Sequence, residues 1–277
     1  MKTQFGENIH TSASTSDALF NYSLPSSRRP QIDNSDHTAN ELFLEPVEVH
    51  VADARLLKQS PLLDIQGFEC ISHQADVNDL GRSPEADDRY RGEMASLMLE
   101  LTGADEVKIS PRIIIRRQLP PAPGEVKHAP TANFVHSDYS VAGAEQAQNV
   151  LYEPVPRDEI RRVAMFNMWR LLSPGPTDRP LALCDARSVE QKDIIAGDSH
   201  FPALKKQFET ALIQFNPQHK WFYYPKLNSA ELLVFKQSDT DTDRPRVVPH
   251  TAFEDRSCRA AALRISVESR CMAVWYA

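Results

Sequence analysis

Three residues of the sequence could together hold a metal ion. His136 and Asp138 are separated by one residue at the end of a short apolar run, so on a strand both side chains would project from the same face. His250 ends a second apolar run and offers another nitrogen. Two histidines and one carboxylate are the ligand set of mononuclear non-haem iron(II) oxygenases. A lone His-x-Asp is frequent by chance, so the prediction of an iron(II) site depends on residues further along the chain.

A candidate anion site follows downstream. In the strand candidate Ala261–Trp275, the side chains of Arg264, Ser266, Glu268 and Arg270 fall on one face and apolar side chains fall on the other. A face with two arginines must look to solvent or into a polar barrel interior, and the upstream His-x-Asp favours the interior. A guanidinium binds a carboxylate through two parallel hydrogen bonds, and a serine hydroxyl can donate to the same group.

Arg264 and Ser266 are therefore predicted to anchor the distal carboxylate of 2-oxoglutarate. The keto acid end of this cosubstrate could chelate the iron and leave one coordination position for dioxygen. Asp138 also matters for the outcome of the reaction. A carboxylate ligand favours oxygen-derived chemistry, whereas Ala or Gly in its place would suit halogenation.

Three further residues are candidates for binding the cofactors. Asn167 and Arg170 lie in an otherwise apolar run, and a buried arginine needs a partner. Arg170 could line the cosubstrate pocket or pair with a structural acid such as Asp185. On a regular strand Asn167 and Arg170 face opposite sides, so both can point inward only across a bulge. The phenol of Tyr224 could hydrogen-bond 2-oxoglutarate or pack in the core.

The elements that would position these residues are mostly strands. Pro46–Val51 alternates apolar and polar residues, as a strand does. Eight further strand candidates are separated by turn residues: Arg112–Arg117, Ala132–Val135, Val163–Leu172, Pro180–Cys184, Lys220–Tyr224, Ala230–Phe235, Arg246–Pro249 and Ala261–Trp275. Apolar residues at spacings of three and four predict flanking helices over residues 89–101 and 202–215. Without regular strand–helix alternation, a mainly β protein with an antiparallel sandwich or jelly-roll core is expected.

The domain organisation follows from composition along the chain. Residues 1–40 are rich in Ser, Thr, Asn and Asp and contain few large apolar side chains, so we expect a flexible N-terminal arm. Residues 41–277 are expected to form a single domain. The chain has nine glycines and no glycine-rich phosphate loop, which disfavours a dinucleotide-binding fold.

Charge and cysteine content exclude several classes of partner. A net charge of −7 argues against nucleic acid or an anionic membrane. The basic residues are scattered apart from short pairs such as Arg28-Arg29 and Arg116-Arg117, and they are interpreted as solvated surface charge. The four cysteines form no CxxC pair, which disfavours a zinc ribbon or thioredoxin-type site. No signal peptide or run of about 18 apolar residues occurs. We therefore expect a cytoplasmic protein with reduced thiols and a small-molecule substrate.

Several sequence blocks also resemble a known family. In chain order they are HSD at 136–138, NMWR at 167–170, PLALCD at 180–185, WFYYPKL at 221–227, ELLVFKQSDTD at 231–241, PHTAF at 249–253 and RISVESR at 264–270. In this order, from about Leu42 to the C-terminus, they resemble the AsaB-type hydroxylase/desaturase family. That family includes the fungal gibberellin desaturase, the aspergillic acid hydroxylase and the partner protein of cephamycin 7α-methoxylation.

The resemblance implies a double-stranded β-helix (jelly-roll) fold and a dependence on iron(II), 2-oxoglutarate and O2. It also implies hydroxylation, desaturation or oxidative cyclisation of a small, often secondary, metabolite. By the family pattern His136, Asp138 and His250 match the metal positions, and Arg264 with Ser266 matches the cosubstrate anchor. One departure is that Leu171 follows the NMWR block, where the family usually has proline.

Two other functions remain open at this point. A metal-dependent jelly-roll enzyme that does not use 2-oxoglutarate would have no need of Arg264 and Ser266. A non-catalytic accessory subunit of a biosynthetic enzyme would have no reason to keep the metal and cosubstrate residues. Intact residues at all of these positions favour the oxygenase.

Overall fold

Two β-sheets account for most of the fold. The structure is a computed structural model and describes residues 15–117, 129–151, 159–202, 205–256, 258 and 261–277. With strands numbered in chain order, the larger sheet runs β1 (Thr15–Ser23), β3 (Leu44–Asp53), β12 (Trp221–Tyr223), β9 (Leu181–Cys184), β14 (His250–Ala252), β7 (His136–Ser137), β11 (Lys206–Ile213), β10 (Ile194–Phe201) and β2 (Gln31–Asp33). The smaller sheet runs β4 (Phe68–Ser72), β13 (Glu231–Asp239), β8 (Ile160–Leu171), β15 (Ile265–Tyr276) and β5 (Glu106–Ile109), and β6 (Ile114–Arg117) also pairs with β15.

The inner faces of the two sheets pack against each other. Trp169, Leu233 and Phe235 of the smaller sheet share one buried cluster with Leu181 and Leu183 of the larger sheet. Nearly all neighbouring strands are antiparallel, with parallel pairing at β10–β2 and β12–β3. The jelly-roll core expected from the sequence is confirmed.

Helix α1 (Pro84–Thr102) covers the outer face of the smaller sheet. The Ser83 hydroxyl accepts from the backbone N–H of Ala86 at its start, and Gly103 ends it with φ of 62°, a conformation that favours glycine. Met94 and Met98 are fully buried against the sheet, so the predicted helix is confirmed. A second helix, α2 (Val141–Leu151), follows β7 and was not predicted. No helix in the described ranges is long and apolar enough to cross a membrane.

The second predicted helix, over residues 202–215, is wrong. Lys206–Ile213 is strand β11, which pairs with β10 along its whole length. The prediction depended on Phe208 and Leu212, four residues apart. A spacing of four is also even, so it places both side chains on one face of a strand, and pairing with β10 decided the outcome.

Two predicted strands are displaced by a few residues. Ala132–Val135 and Arg246–Pro249 are not strands, and the short strands β7 and β14 begin directly after them, at His136 and His250. The histidines therefore lie within the sheet rather than beyond its edge.

The expected N-terminal arm is wrong from Thr15 onward. β1 pairs with β3 over nine residues, and Phe20 and Tyr22 are almost fully buried. The hydroxyl of Tyr22 accepts a 2.7 Å hydrogen bond from Trp221 Nε1. Alternating apolar residues in a short strand offset the ordering cost that the polar composition suggested. Residues 1–14 lie outside the described part of the chain.

Candidate iron site

The three predicted metal ligands meet on the inner face of the larger sheet. His136 on β7 and His250 on β14 are directly paired, and their ring centroids are 4.4 Å apart. Asp138 lies two residues beyond His136. One ligand atom from each of the three residues lies within 4.8 Å of the other two.

Both histidine rings are oriented by backbone carbonyls. Nδ1 of His136 lies 2.9 Å from the carbonyl oxygen of Phe134, and Nδ1 of His250 lies 3.1 Å from that of Val248. A carbonyl only accepts, so each Nδ1 carries the proton and each Nε2 keeps a lone pair for a metal. Burial lowers the pKa of His136 to about 3 and also lowers the pKa of His250. Both rings are therefore neutral near pH 7, as metal ligands must be.

The carboxylate of Asp138 is held from two sides. Arg270 Nη2 donates to Oδ1 at 2.9 Å, and Asn167 Nδ2 donates to Oδ2 at 2.6 Å. The amide of Gln237 accepts from the backbone N–H of Asp138 at 2.9 Å. Burial is the largest single influence and opposes ionisation, but Arg270, the two histidines and the hydrogen bond from Asn167 together outweigh it and hold the pKa of Asp138 well below its usual range. Asp138 is thus an ionised, oriented ligand.

Arg270 also joins Asp138 to a second buried acid. Arg270 Nε donates to Glu268 at 2.7 Å, and the side chain of Glu268 is only 6% exposed. Burial disfavours the guanidinium charge, but Asp138 and Glu268 more than compensate, so the pKa of Arg270 is raised. Strand alternation predicts that Glu268 and Arg270 share a face with Arg264, but it does not predict the contacts that join them to Asp138.

A small cavity of about 20 Å³ adjoins the two histidines. Its walls are formed by Arg116, Ala132, His136, Trp169, Leu181, Phe235, His250, Thr251, Ala252, Arg264 and Glu268. The two predicted histidine ligands of the larger sheet and the predicted anchor Arg264 therefore line one cavity.

Arg264 is a buried cation with no acidic partner among the residues that the structure describes. It is 3% exposed, its guanidinium lies 4.8 Å from the ring centre of Trp169, and Nε donates to the hydroxyl of Ser266 at 3.1 Å. No ion pair within the described ranges includes Arg264. Burial first, and then the charge of Arg116, lower the pKa of Arg264 to about 9. A guanidinium placed in this way requires an anion.

The residues present fit both iron(II) and a carboxylate-bearing cosubstrate. Two imidazole nitrogens and one carboxylate oxygen are the donor set typical of iron(II) oxygenases. The unpaired guanidinium and the adjacent serine hydroxyl offer a planar set of donors to a carboxylate.

Comparison with known proteins finds an oxidoreductase family model that matches almost the whole chain. A family model described as "YDMC: Oxidoreductase/YMDC permease-like domain" matches residues 12–274. The hydroxylase/desaturase efuI of Hormonema carpetanum is 30% identical over 253 residues, which cover 83% of this chain and 84% of the relative. The hydroxylase/desaturase CTB9 of Cercospora beticola is 29% identical over 242 residues, covering 77% and 72%. This chain belongs to the hydroxylase/desaturase family.

A solved structure supports the fold of this family member. The iron and alpha-ketoglutarate-dependent endoperoxidase NvfI superposes with a TM-score of 0.77 at 21% identity, covering 95% of this chain and 98% of NvfI. The family and the fold expected from the sequence are both confirmed.

Two of the candidate cofactor-binding residues lie elsewhere. Arg170 faces the opposite side of β8 from Asn167, where it contacts Tyr90 of α1 and donates to the carbonyl oxygen of His73 at 2.6 Å. The alternative partner Asp185 is not used, because it pairs with Arg187. Arg170 is therefore a structural residue, and its prediction as a cofactor ligand is wrong.

Tyr224 lines a different small cavity, of about 20 Å³. Trp169 and Leu181 line both this cavity and the one beside the histidines. Burial raises the pKa of Tyr224 above its usual range. The phenol packs in the core beyond this shared wall, so the structure does not bring Tyr224 to the iron site.

Proposed function

We propose that this hydroxylase/desaturase binds iron(II) through His136, Asp138 and His250 and uses 2-oxoglutarate to oxidise a small organic molecule. Arg264 and Ser266 would bind the distal carboxylate of the cosubstrate. The observation that carries the proposal is a cluster of three metal-type ligands, two of which line one cavity together with the buried guanidinium of Arg264. Relatives named as hydroxylases and desaturases support it.

Iron(II), when bound with 2-oxoglutarate and dioxygen, supplies an oxidant that removes hydrogen from C–H bonds. The protein's own contribution is positioning and exclusion of water. His136 and His250 present Nε2 because their Nδ1 protons are bound to carbonyl oxygens. Trp169, Leu181 and Phe235 form an apolar wall beside them, which keeps bulk water from the reacting atoms.

The charge of the site matches the proposed ligands. Asp138 supplies one negative charge to the metal, while Arg264 supplies a positive charge to the dicarboxylic cosubstrate. A metal enzyme that did not use a 2-oxoacid would bury the guanidinium of Arg264 at a cost and gain nothing from it.

The location and the substrate class are proposed on similar grounds. The four cysteines, Cys70, Cys184, Cys258 and Cys271, are free thiols, which supports the reducing environment of the cytoplasm. Relatives named as hydroxylases and desaturases support a small-molecule substrate.

Anaerobic titration of the iron(II) protein with 2-oxoglutarate tests the proposal. The parent should develop the visible metal-to-ligand charge-transfer band of a chelated 2-oxoacid. Arg264→Lys keeps the positive charge but loses the planar guanidinium, which can donate two parallel hydrogen bonds to a carboxylate. The affinity of this variant for 2-oxoglutarate should therefore fall about tenfold to a hundredfold. Iron affinity should stay unchanged, since Arg264 is not a ligand.

Ser266→Ala should lose affinity in the same direction but by less, as one neutral donor would. His136→Ala should bind neither iron nor the cosubstrate tightly. If the parent shows no charge-transfer band and oxidises substrates without any 2-oxoacid, 2-oxoglutarate is not its cosubstrate. The protein would then be a metal-dependent jelly-roll enzyme of another kind.

A further inference from the structure

Arg116 places a second cation beside the predicted carboxylate anchor. β6 pairs with β15 so that Arg116 lies directly opposite Ser266. Directly paired residues project to the same face of a sheet, with Cβ atoms about 5 Å apart. Arg116 and Arg264 accordingly line the same cavity. Arg116 is partly exposed, as expected of a surface charge, but it also lines the cavity, which the sequence does not predict.

The charge of Arg116 has no acidic partner in the described part of the chain. One of its nitrogens donates to the carbonyl oxygen of Pro130 at 3.0 Å, and no described ion pair includes it. Glu268, an acid among the residues that line the cavity, is paired with Arg270. The hydrogen bond to Pro130 uses only one of the five N–H donors of the Arg116 guanidinium, which leaves the others available to a ligand.

Two unpaired guanidiniums in one cavity repel each other. Arg116 is, after burial, the largest influence that lowers the pKa of Arg264. A carboxylate between them removes this repulsion, because its two oxygens offer about four acceptor sites and can satisfy both cations together with the hydroxyl of Ser266.

We propose that Arg116 is a second binding residue for the distal carboxylate of 2-oxoglutarate, acting with Arg264 and Ser266. The inference rests on the proposed function, because it takes 2-oxoglutarate as the ligand of the cavity. It makes Arg116 a specificity-determining residue: the pair of arginines selects 2-oxoacids that carry a second carboxylate.

A comparison of two 2-oxoacids tests this role. 2-Oxopentanoate has the carbon chain of 2-oxoglutarate with a methyl group in place of the distal carboxylate. In Arg116→Met, the affinity for 2-oxoglutarate should fall about tenfold to a hundredfold, as for loss of a charge-assisted hydrogen bond. The affinity for 2-oxopentanoate should stay unchanged, because that acid has nothing for Arg116 to bind.

Affinities are measured by anaerobic titration of the charge-transfer band and, separately, by the rise in melting temperature that each acid produces. Arg112→Met is the matched control. Arg112 precedes the same strand and is exposed, so its loss removes the same charge outside the cavity and should change neither affinity. Arg116→Gln, which keeps a donor for the Pro130 carbonyl, gives the same comparison if the methionine variant does not fold.

Equal losses for both acids would overturn the proposal, since they would show that Arg116 only supports the cavity wall. Unchanged affinity for 2-oxoglutarate would overturn it as well. These results are distinct from failure of the proposed function, in which the parent protein itself would bind no 2-oxoglutarate.

Discussion

The hydrogen bond from Asn167 to Asp138 should control iron affinity. Asn167→Leu keeps the side-chain volume and removes the 2.6 Å bond from Nδ2 to Asp138 Oδ2. Oδ1 of Asn167 has no hydrogen-bond partner among the described residues, so leucine also removes an unsatisfied acceptor, and the fold should be little affected. Asp138 keeps Arg270 but can rotate about the remaining contact.

The expected loss is about tenfold to a hundredfold in iron(II) affinity, the range seen when partners of metal ligands are replaced. That range corresponds to about 1.4–2.8 kcal/mol, which agrees with the roughly 1.5–3 kcal/mol of one charge-assisted hydrogen bond. Anaerobic competition with a chromophoric chelator measures the affinity directly, without any knowledge of the substrate.

Asn216→Leu is the matched control. Asn216 is also buried and donates to a buried carboxylate, that of Asp193, at 3.1 and 3.0 Å. Its replacement should lower stability and leave iron affinity unchanged. Parent-like iron binding by Asn167→Leu would show that Asp138 needs no second donor or is not a ligand. An equal loss in Asn216→Leu would show that the effect is general loosening.

Two further predictions concern stability. Burial lowers the pKa of His136 in the folded protein to about 3 from 6.5, so between these values only the unfolded state takes up this proton. The metal-free protein should therefore lose stability as pH falls through that window, by up to about 1.4 kcal/mol per pH unit from this group, and thermal melts should show a shallower decline for His136→Gln. Phe20→Ala in β1 should cost about 3–5 kcal/mol in denaturant unfolding, whereas Leu19→Ala, at an exposed position of the same strand, should cost little. A small effect of Phe20→Ala would restore the interpretation of this segment as a mobile arm.

The site residues that could be predicted from the sequence are those fixed by strand parity. His136 and Asp138 are two residues apart, as are Arg264 and Ser266, so each pair shares a face wherever its strand lies. The same alternation correctly predicts that Asn167 and Arg170 lie on opposite faces of their strand. These inferences need no knowledge of which strands are neighbours.

The remaining features depend on pairing between distant segments. Arg116 reaches the cavity only because β6 lies beside β15, a register that no local pattern specifies. β11 was mistaken for a helix because its apolar spacing of four fits both periods, and its pairing with β10 decides between them. The local sequence does not predict β1, because its three alternating apolar residues lie among polar residues. Pairing with β3 stabilises this strand.

The charges around the cavity indicate that metal and cosubstrate bind cooperatively. Asp138 and Glu268 contribute −2, and Arg116, Arg264 and Arg270 contribute +3, so the protein groups sum to +1 when both histidines are neutral. Iron(II) alone raises this to +3 in a buried site, whereas addition of the 2-oxoglutarate dianion returns it to +1. Each ligand therefore lowers the electrostatic cost of binding the other, and the coupling must be reciprocal. The arrangement favours joint binding of the metal and the dianion over the binding of either alone.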